Sequence, residues 1–268
     1  MSVVQNVSAF PGIVAALRAA GCVFAEDEAQ LLIDTARTPD ELANMVNRRV
    51  AGLPLEQVLG WAEFCGLRIA VDPGVFVPRR RTEFLVGQAA ELIGARPHAV
   101  VVDLCCGTGA VGAALHAMLN QPEVHAADID PAEVRCARRN LPVPERVYQG
   151  DLFEPLPATL VGRIDILVVN APYVPTEQIG FLPPEARLFE PRVALDGGAD
   201  GLDIQRRVAE GAARWLAPTG YLLIETSERQ AAQTVRFFAE HGLNPQVRTE
   251  EELDATIVVG SRQPIRRP

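Results

Sequence analysis

Apolar residues at helical spacing dominate the amino-terminal part of the chain. Between residues 8 and 50, the positions that would share a helical face form three groups: Ile13, Leu17 and Ala20; Leu31, Leu32 and Thr35; and Leu42, Met45 and Val46. This spacing places side chains on one face of an α-helix, and Thr38-Pro39 has the residue types that begin a helix. The pattern predicts a small helical amino-terminal domain, which we assign to residues 1–56.

A short β-hairpin is predicted directly after the helical domain. Strand-forming residues at positions 61–64 and 67–71 flank Cys65-Gly66, and Asp72-Pro73-Gly74 ends the second strand. We therefore assign residues 57–76 to a β-hairpin linker and residues 77–268 to a third unit.

Strand and helix patterns alternate through this third unit. Parallel-type strands are predicted at residues 99–104, 124–127, 147–149, 164–169 and 221–225, and a closing antiparallel pair at 245–249 and 255–260. Helices are predicted from Ala110, Pro131, Ile204 and Gln230. Uninterrupted apolar runs suit strands buried on both faces of a parallel sheet. The pattern therefore predicts an α/β fold with a doubly wound, mostly parallel sheet.

Charge and cysteine content indicate which partners and which cellular compartment to expect. A net charge of -9 and a pI near 5.0 would repel a polyphosphate backbone on average, which disfavours nucleic acid although a local basic patch could still bind it. The cysteines are odd in number and form no CxxC pair: Cys22, Cys65, Cys105, Cys106 and Cys136. Neither a disulfide framework nor a metal site is indicated. With no export signal or membrane span in the pattern, we expect a cytoplasmic protein without a membrane partner.

A glycine-rich turn follows the first strand of the predicted sheet. Residues 103–110 connect this strand to a predicted helix, where glycines let the backbone approach a ligand and helix-end N–H groups face its carboxylate. Gly107, Gly109 and Gly112 also satisfy a dinucleotide-binding pattern, with the acidic Asp128 about 20 residues further on. The turn alone does not distinguish a dinucleotide cofactor from a cofactor that carries a carboxylate.

Two acidic residues follow the next two predicted strands. Asp128 stands where a carboxylate would accept hydrogen bonds from ribose hydroxyls, and Asp151 where it or a neighbouring backbone group would meet an adenine. Simpler interpretations are a helix cap, as in Asp130-Pro131, and ordinary turn chemistry at Gly150-Asp151.

The fourth strand ends in Asn170-Ala171-Pro172-Tyr173, and this loop favours methyl transfer to a planar nitrogen. Ligands of open α/β sheets bind at the carboxyl edge of the strands. The Asn170 side-chain oxygen and the Ala171 carbonyl can accept the two N–H bonds of an NH2 group, and Tyr173 can stack on a planar acceptor.

Together these segments resemble the bacterial protein-(glutamine-N5) methyltransferase family of the peptide chain release factor type. The resemblance covers residues 55–260 and includes Val77-Pro78-Arg79 with Thr82-Glu83, residues 150–155 and residues 189–198. The last of these segments is the most specific, because it is long and has no generic nucleotide-binding rationale.

The resemblance implies the class I S-adenosylmethionine-dependent methyltransferase fold, S-adenosylmethionine as cofactor, and a helical domain that helps to grip a protein substrate such as a release factor. The candidate cofactor-binding residues are Asp103, Cys105, Gly107, Thr108, Gly109, Asp128, Ile129, Asp151, Leu152 and Asn170. The candidate catalytic residues are Asn170, Ala171, Pro172 and Tyr173.

Two departures from the family pattern point to a paralogue branch. The family usually has Asn-Pro-Pro-Tyr, and Ala171 keeps the backbone carbonyl that the mechanism uses, so we expect catalysis to survive. The family also usually has Pro-Arg-Pro-Glu-Thr-Glu, whereas Arg80 and Arg81 replace a proline and an acid. With Arg79 they form either a solvated basic turn or a contact to a different partner.

Three other functions stay open at this point. The loop would also serve methylation of an exocyclic amine of adenine or guanine in RNA or DNA, since that acceptor is a planar NH2 group too. The glycine turn alone would suit a nicotinamide-dependent dehydrogenase, and Ala171 motivates a non-catalytic cofactor-binding or interaction module.

Overall fold

The computed structural model of the protein describes residues 3–262 and begins with a cluster of four helices. These are α1 (Val3–Ala19), α2 (Ala25–Thr35), α3 (Pro39–Val50) and α4 (Leu55–Leu59). Leu17, Leu32 and Met45, one from each predicted helical face, lie in a common core. The Thr38 hydroxyl accepts a hydrogen bond from the Glu41 backbone N–H at 3.1 Å and caps α3. The three predicted helices are confirmed.

Arg49 on α3 connects this helical cluster to a later part of the chain. Its guanidinium lies 2.6 Å from the Glu28 carboxylate on α2 and 2.6 Å from the Glu185 carboxylate on α8 (Pro184–Phe189). Arg49 and Glu28 are both buried. Because α4 spans residues 55 to 59, helical structure continues past residue 56, where the sequence suggests a domain boundary. The division into domains stays a prediction.

The predicted hairpin is confirmed. Strands β1 (Trp61–Phe64) and β2 (Leu67–Ala70) pair antiparallel. Cys65 has φ 49° and Gly66 has φ 73°, the two left-handed residues that a two-residue type I′ turn requires.

One seven-stranded sheet forms the larger part of the molecule. Its strands are β3 (Val100–Leu104), β4 (Glu123–Asp128), β5 (Val147–Gln149), β6 (Ile164–Val169), β7 (Leu216–Thr226), β8 (Asn244–Glu250) and β9 (Ala255–Ser261). They lie in the order β5-β4-β3-β6-β7-β9-β8, and only β9 pairs antiparallel, with β7 on one side and β8 on the other. The predicted mostly parallel sheet with a closing antiparallel strand is confirmed.

Helices cover both faces of this sheet, each through its apolar side. One face carries α5 (Glu83–Ile93), α6 (Ala110–Met118) and α7 (Pro131–Asn140), and the other carries α9 (Asp203–Trp215) and α10 (Glu228–Glu240). Helix α5 is absent from the predicted elements, although Leu85, Ala89 and Ile93 have helical spacing and are buried. None of the helices within residues 3–262 is long and apolar enough to cross a membrane.

The strand order fixes where a ligand can bind. The chain first builds outward from β3 through β4 to β5 and then returns to place β6 on the other side of β3. Loops that leave β3 and β6 therefore diverge, which opens a crevice at the carboxyl edge of the sheet. The glycine turn after β3 and the Asn-Ala-Pro-Tyr loop after β6 both lie at that edge.

Candidate functional site

A cavity of about 800 Å³ opens at the carboxyl edge of the sheet. Ten predicted site residues line it: Cys105, Gly107, Asp128, Ile129, Asp151, Leu152, Asn170, Ala171, Pro172 and Tyr173. The structure thus brings the predicted cofactor residues and the predicted catalytic loop together in one cavity. We call the part formed by the loops after β3, β4 and β5 the cofactor half, and the part around residues 170–173 the acceptor half.

Three predicted cofactor residues lie outside the cavity lining and shape the glycine turn instead. Asp103 is buried, and its carboxylate accepts a hydrogen bond from the Gly112 backbone N–H at 2.9 Å; burial raises the pKa of Asp103 to about 7. The Thr108 carbonyl accepts a hydrogen bond from the side chain of Asn140 at 2.8 Å, and the Gly109 N–H donates within the turn. Direct cofactor contact by these three residues stays a prediction.

Asp128 is held in place by the backbone around it. Gly107 N–H donates to one carboxylate oxygen and Asp130 N–H to the other, each at 2.9 Å. Burial raises the pKa of Asp128, against the lowering effect of these backbone hydrogen bonds. Asp130 caps α7 by accepting a hydrogen bond from Ala132 N–H at 2.7 Å. Asp130 therefore provides the helix cap, and Asp128 lines the cavity.

Apolar and acidic residues complete the cofactor half. Ile129 and Leu152 present hydrocarbon surface to the cavity, which suits a planar aromatic group. Asp151 is already paired, because its carboxylate lies 2.6 Å from the Arg207 guanidinium. Ribose recognition by Asp128 and adenine contact at Asp151 stay predictions.

Glu133 is a cavity residue that the sequence analysis misses. It is only 1% exposed, and one carboxylate oxygen accepts a hydrogen bond from the Phe76 backbone N–H at 2.6 Å. The other oxygen has no hydrogen-bond partner within residues 3–262. Burial raises the pKa of Glu133 to about 8. Its place in the first turn of the helix that follows Asp128 is the sequence signal that could have pointed to it.

The Asn-Ala-Pro-Tyr loop in the acceptor half is fixed by backbone contacts to the glycine-rich segment that follows α8. A Cβ atom added to Gly197 would lie 2.7 Å from the Pro172 carbonyl oxygen, and one added to Gly201 would lie 2.3 Å from the Tyr173 carbonyl oxygen. Only glycine permits such close approach of two backbones. The Gln230 side chain also donates to the Tyr173 carbonyl at 3.0 Å. This packing explains why Gly197, in the most specific segment of the resemblance, and the nearby Gly201 are glycines.

Two of the three consecutive arginines are paired in the structure. The Arg79 guanidinium lies 2.5 Å from the carboxylate of Glu190, whose side chain is 0% exposed. The Arg81 Nε lies 3.3 Å from the buried Glu225 carboxylate, and its guanidinium faces the Tyr173 ring at 5.7 Å. Arg80 is exposed at the cavity and has no ion pair within the described part of the chain. The segment is therefore part of the cavity wall and not merely a solvated turn.

Burial also affects the aromatic residue of the acceptor half. It raises the pKa of Tyr173 to about 12, with a further upward contribution from the charge of Glu225. The phenol therefore stays neutral at physiological pH. A neutral, partly buried ring is suited to stacking on a planar acceptor group.

Comparison with known proteins finds close relatives over most of the chain. The family model described as "Methyltransferase small domain" matches residues 66–181. A release factor glutamine methyltransferase of Geobacter sulfurreducens is 37% identical over 239 residues, which cover 85% of this chain and 81% of the relative. Another, from Mycolicibacterium smegmatis, is 35% identical and covers 88% of this chain and 89% of its own length.

A solved structure of a methyltransferase from Pyrococcus furiosus matches with a TM-score of 0.55 at 16% sequence identity. The match covers 74% of this chain and 89% of that structure. At this identity the likeness concerns the fold alone.

Proposed function

The chain belongs to the family of release factor glutamine methyltransferases, and on that basis we propose that it methylates the side-chain amide nitrogen of a glutamine in a peptide chain release factor. The observation that carries the proposal is the shared cavity. Six of the residues expected to bind S-adenosylmethionine line one half, and the Asn-Ala-Pro-Tyr loop lines the other. We place this activity in the cytoplasm, where translation supplies the substrate.

The cofactor half fits S-adenosylmethionine. Gly107 has φ 53° and leaves room for close approach of a ligand to the turn. Asp128 offers carboxylate oxygens to ribose hydroxyls, and Ile129 and Leu152 offer apolar surface to the adenine. When bound, S-adenosylmethionine supplies an electrophilic methyl group on a sulfonium centre.

The acceptor half addresses the weak nucleophilicity of an amide nitrogen. The lone pair of this nitrogen is delocalised into the carbonyl, so the nitrogen must be oriented before it can react. The Asn170 side-chain oxygen and the Ala171 carbonyl accept its two N–H bonds, while the Tyr173 ring packs on the amide plane. Preorganised acceptors and a fixed orientation lower the barrier. The extra proton leaves the nitrogen after the new N–C bond has formed, so a strong general base is not needed beforehand.

The helical cluster is positioned to contribute to substrate binding. Pro54 and Glu56, from its last part, line the same cavity. Arg49 fixes the cluster to α8, whose residues Glu185 and Ala186 also line it. We therefore assign the grip on the protein substrate to this cluster together with the cavity rim.

A labelling experiment tests the proposal. The purified chain is incubated with methyl-tritiated S-adenosylmethionine and a lysate from a host that lacks its gene, and in parallel with a purified bacterial release factor. We expect label in one protein band, which releases N-methylglutamine on proteolytic digestion. Label confined to the nuclease-sensitive fraction would instead assign the enzyme to base methylation, with Arg80 as the first residue to mutate.

A further inference from the structure

The proposed mechanism uses only one end of the Asn170 side chain. The oxygen can accept a hydrogen bond from the substrate nitrogen, whereas the NH2 end can only donate. Both ends have nearly the same size, so packing alone does not decide which of them faces the cavity. A specific hydrogen-bond partner is needed to fix the orientation.

Thr82 provides this partner. Its hydroxyl oxygen accepts a hydrogen bond from the Asn170 NH2 group at 3.3 Å. Thr82 is 3% exposed, so bulk water does not compete for the same position. The residue ends a short 3-10 turn, Arg80–Thr82, directly before α5. The contact therefore connects the loop after β6 to the segment that carries the three arginines.

The Oε2 atom of the buried Glu225 carboxylate has no hydrogen-bond partner within residues 3–262 and can accept the hydrogen of the Thr82 hydroxyl. The carboxylate is 2% exposed and lies at the end of β7, which pairs with β6 through Val169 and Ile224. Burial raises the pKa of Glu225, and hydrogen bonding to Thr82 is the largest effect that opposes this rise. A threonine hydroxyl has a single hydrogen. When that hydrogen points to the Glu225 carboxylate, the lone pairs of the oxygen are left for the Asn170 NH2 group.

We propose that Thr82 is a positioning residue that holds the Asn170 amide with its oxygen facing the acceptor. This inference rests on the proposed function. Without the Thr82 hydroxyl, the amide can turn over and present N–H to the N–H of the substrate, which repels it. The effect falls on the chemical step, because the ribose and adenine contacts of the cofactor half are untouched.

A matched pair of variants tests the role. Thr82→Val keeps the shape and removes the hydroxyl, whereas Thr82→Ser keeps the hydroxyl. With a release factor as substrate, we expect Thr82→Val to lower kcat about tenfold and Thr82→Ser to retain activity within about threefold. Affinity for S-adenosylhomocysteine, measured by calorimetry, should stay within about twofold of the wild-type value in both. A wild-type kcat for Thr82→Val, or an equal fall in both variants, would overturn the inference.

A second measurement does not depend on turnover. The Asn170 side-chain amide proton that is donated to residue 82 should exchange slowly with solvent in NMR spectra of the wild type and of Thr82→Ser, and faster in Thr82→Val. Equal exchange rates in all three proteins would also contradict the role of Thr82. Failure of the proposed function is a separate result, since the wild-type protein would then produce no N-methylglutamine.

Discussion

The two halves of the cavity are built in different ways. In the cofactor half, backbone N–H groups fix the Asp128 side chain. They belong to residues 2 and 21 positions away in the sequence. In the acceptor half, contacts between side chains of distant segments fix the functional groups. Asn170 bonds to Thr82 across 88 positions, and Arg81 bonds to Glu225 across 144 positions.

The two halves of the cavity therefore depend on different parts of the fold. The cofactor half depends on β3, β4 and β5, which lie side by side in the sheet, and on the turns that follow them. The acceptor half exists only when β6, β7 and the segment before α5 are all in place. Substitutions should therefore separate cofactor binding from methyl transfer. Four predictions follow, from the largest expected effect to the smallest; three test this separation, and one tests the burial of a carboxyl in the cofactor half.

Asn170→Ala should remove methyl transfer and leave cofactor binding nearly unchanged. The substitution deletes an acceptor that acts on the reacting nitrogen, so we expect kcat to fall at least about a hundredfold. Affinity for S-adenosylhomocysteine should stay within about tenfold of the wild-type value. Release-factor labelling and calorimetry measure the two quantities, and normal turnover by this variant would refute the role of Asn170.

Asp128→Asn should have the opposite effect and weaken cofactor binding rather than the methyl-transfer step. An asparagine has one oxygen with which to meet two backbone N–H groups and the ribose, so S-adenosylhomocysteine affinity should fall about ten- to a hundredfold in calorimetry. Asp151→Asn is the matched control. It breaks a partly exposed ion pair with Arg207 and should cost much less affinity. Equal losses in both variants would place ribose recognition at both carboxylates.

Glu133→Gln should change how stability depends on pH. The folded-state pKa of about 8 lies above the ordinary value of 4.5, so the folded protein holds a proton that the unfolded chain has lost. Wild-type stability is therefore reduced as the pH rises through this interval. The variant lacks this dependence, and its advantage in Tm should grow by a few degrees between about pH 5 and about pH 8.

The control for this measurement is Glu240→Gln, which changes an exposed carboxyl at the end of α10. Its Tm should differ from that of the wild type by the same amount at both pH values. If Glu133→Gln behaved in the same way, the carboxyl would titrate normally, and burial would not be the dominant influence on it.

Ala171→Pro should have almost no effect. The substitution restores the residue usual in the family and keeps the carbonyl that accepts from the substrate. The Ala171 N–H donates no hydrogen bond within residues 3–262, so its loss costs nothing there. We expect kcat and S-adenosylhomocysteine affinity to stay within about twofold of wild type. A large fall in kcat would show that alanine at this position compensates for another departure from the family pattern.

The sequence predicts which segments line the cavity better than it predicts the contacts between their side chains, for a physical reason. The glycine turn, Asp128 and the Asn-Ala-Pro-Tyr loop each stand directly after an apolar strand, and local patterns show this. Strand ends do not reveal which way a side chain points, so Asp103 is predicted at the ligand although it is buried in the turn. Thr82 lacks a local signal for its bond to Asn170, because that bond depends on the order of the strands.

The ion pairs of Arg49 limit which segments can be exchanged between related proteins. The guanidinium binds Glu28 in the helical cluster and Glu185 in the cavity wall. A helical cluster transplanted from another relative would leave Glu185 without its cation unless an equivalent arginine came with it. The helical cluster and α8 should therefore be inherited together, so that recombination or protein engineering has to treat them as one heritable unit.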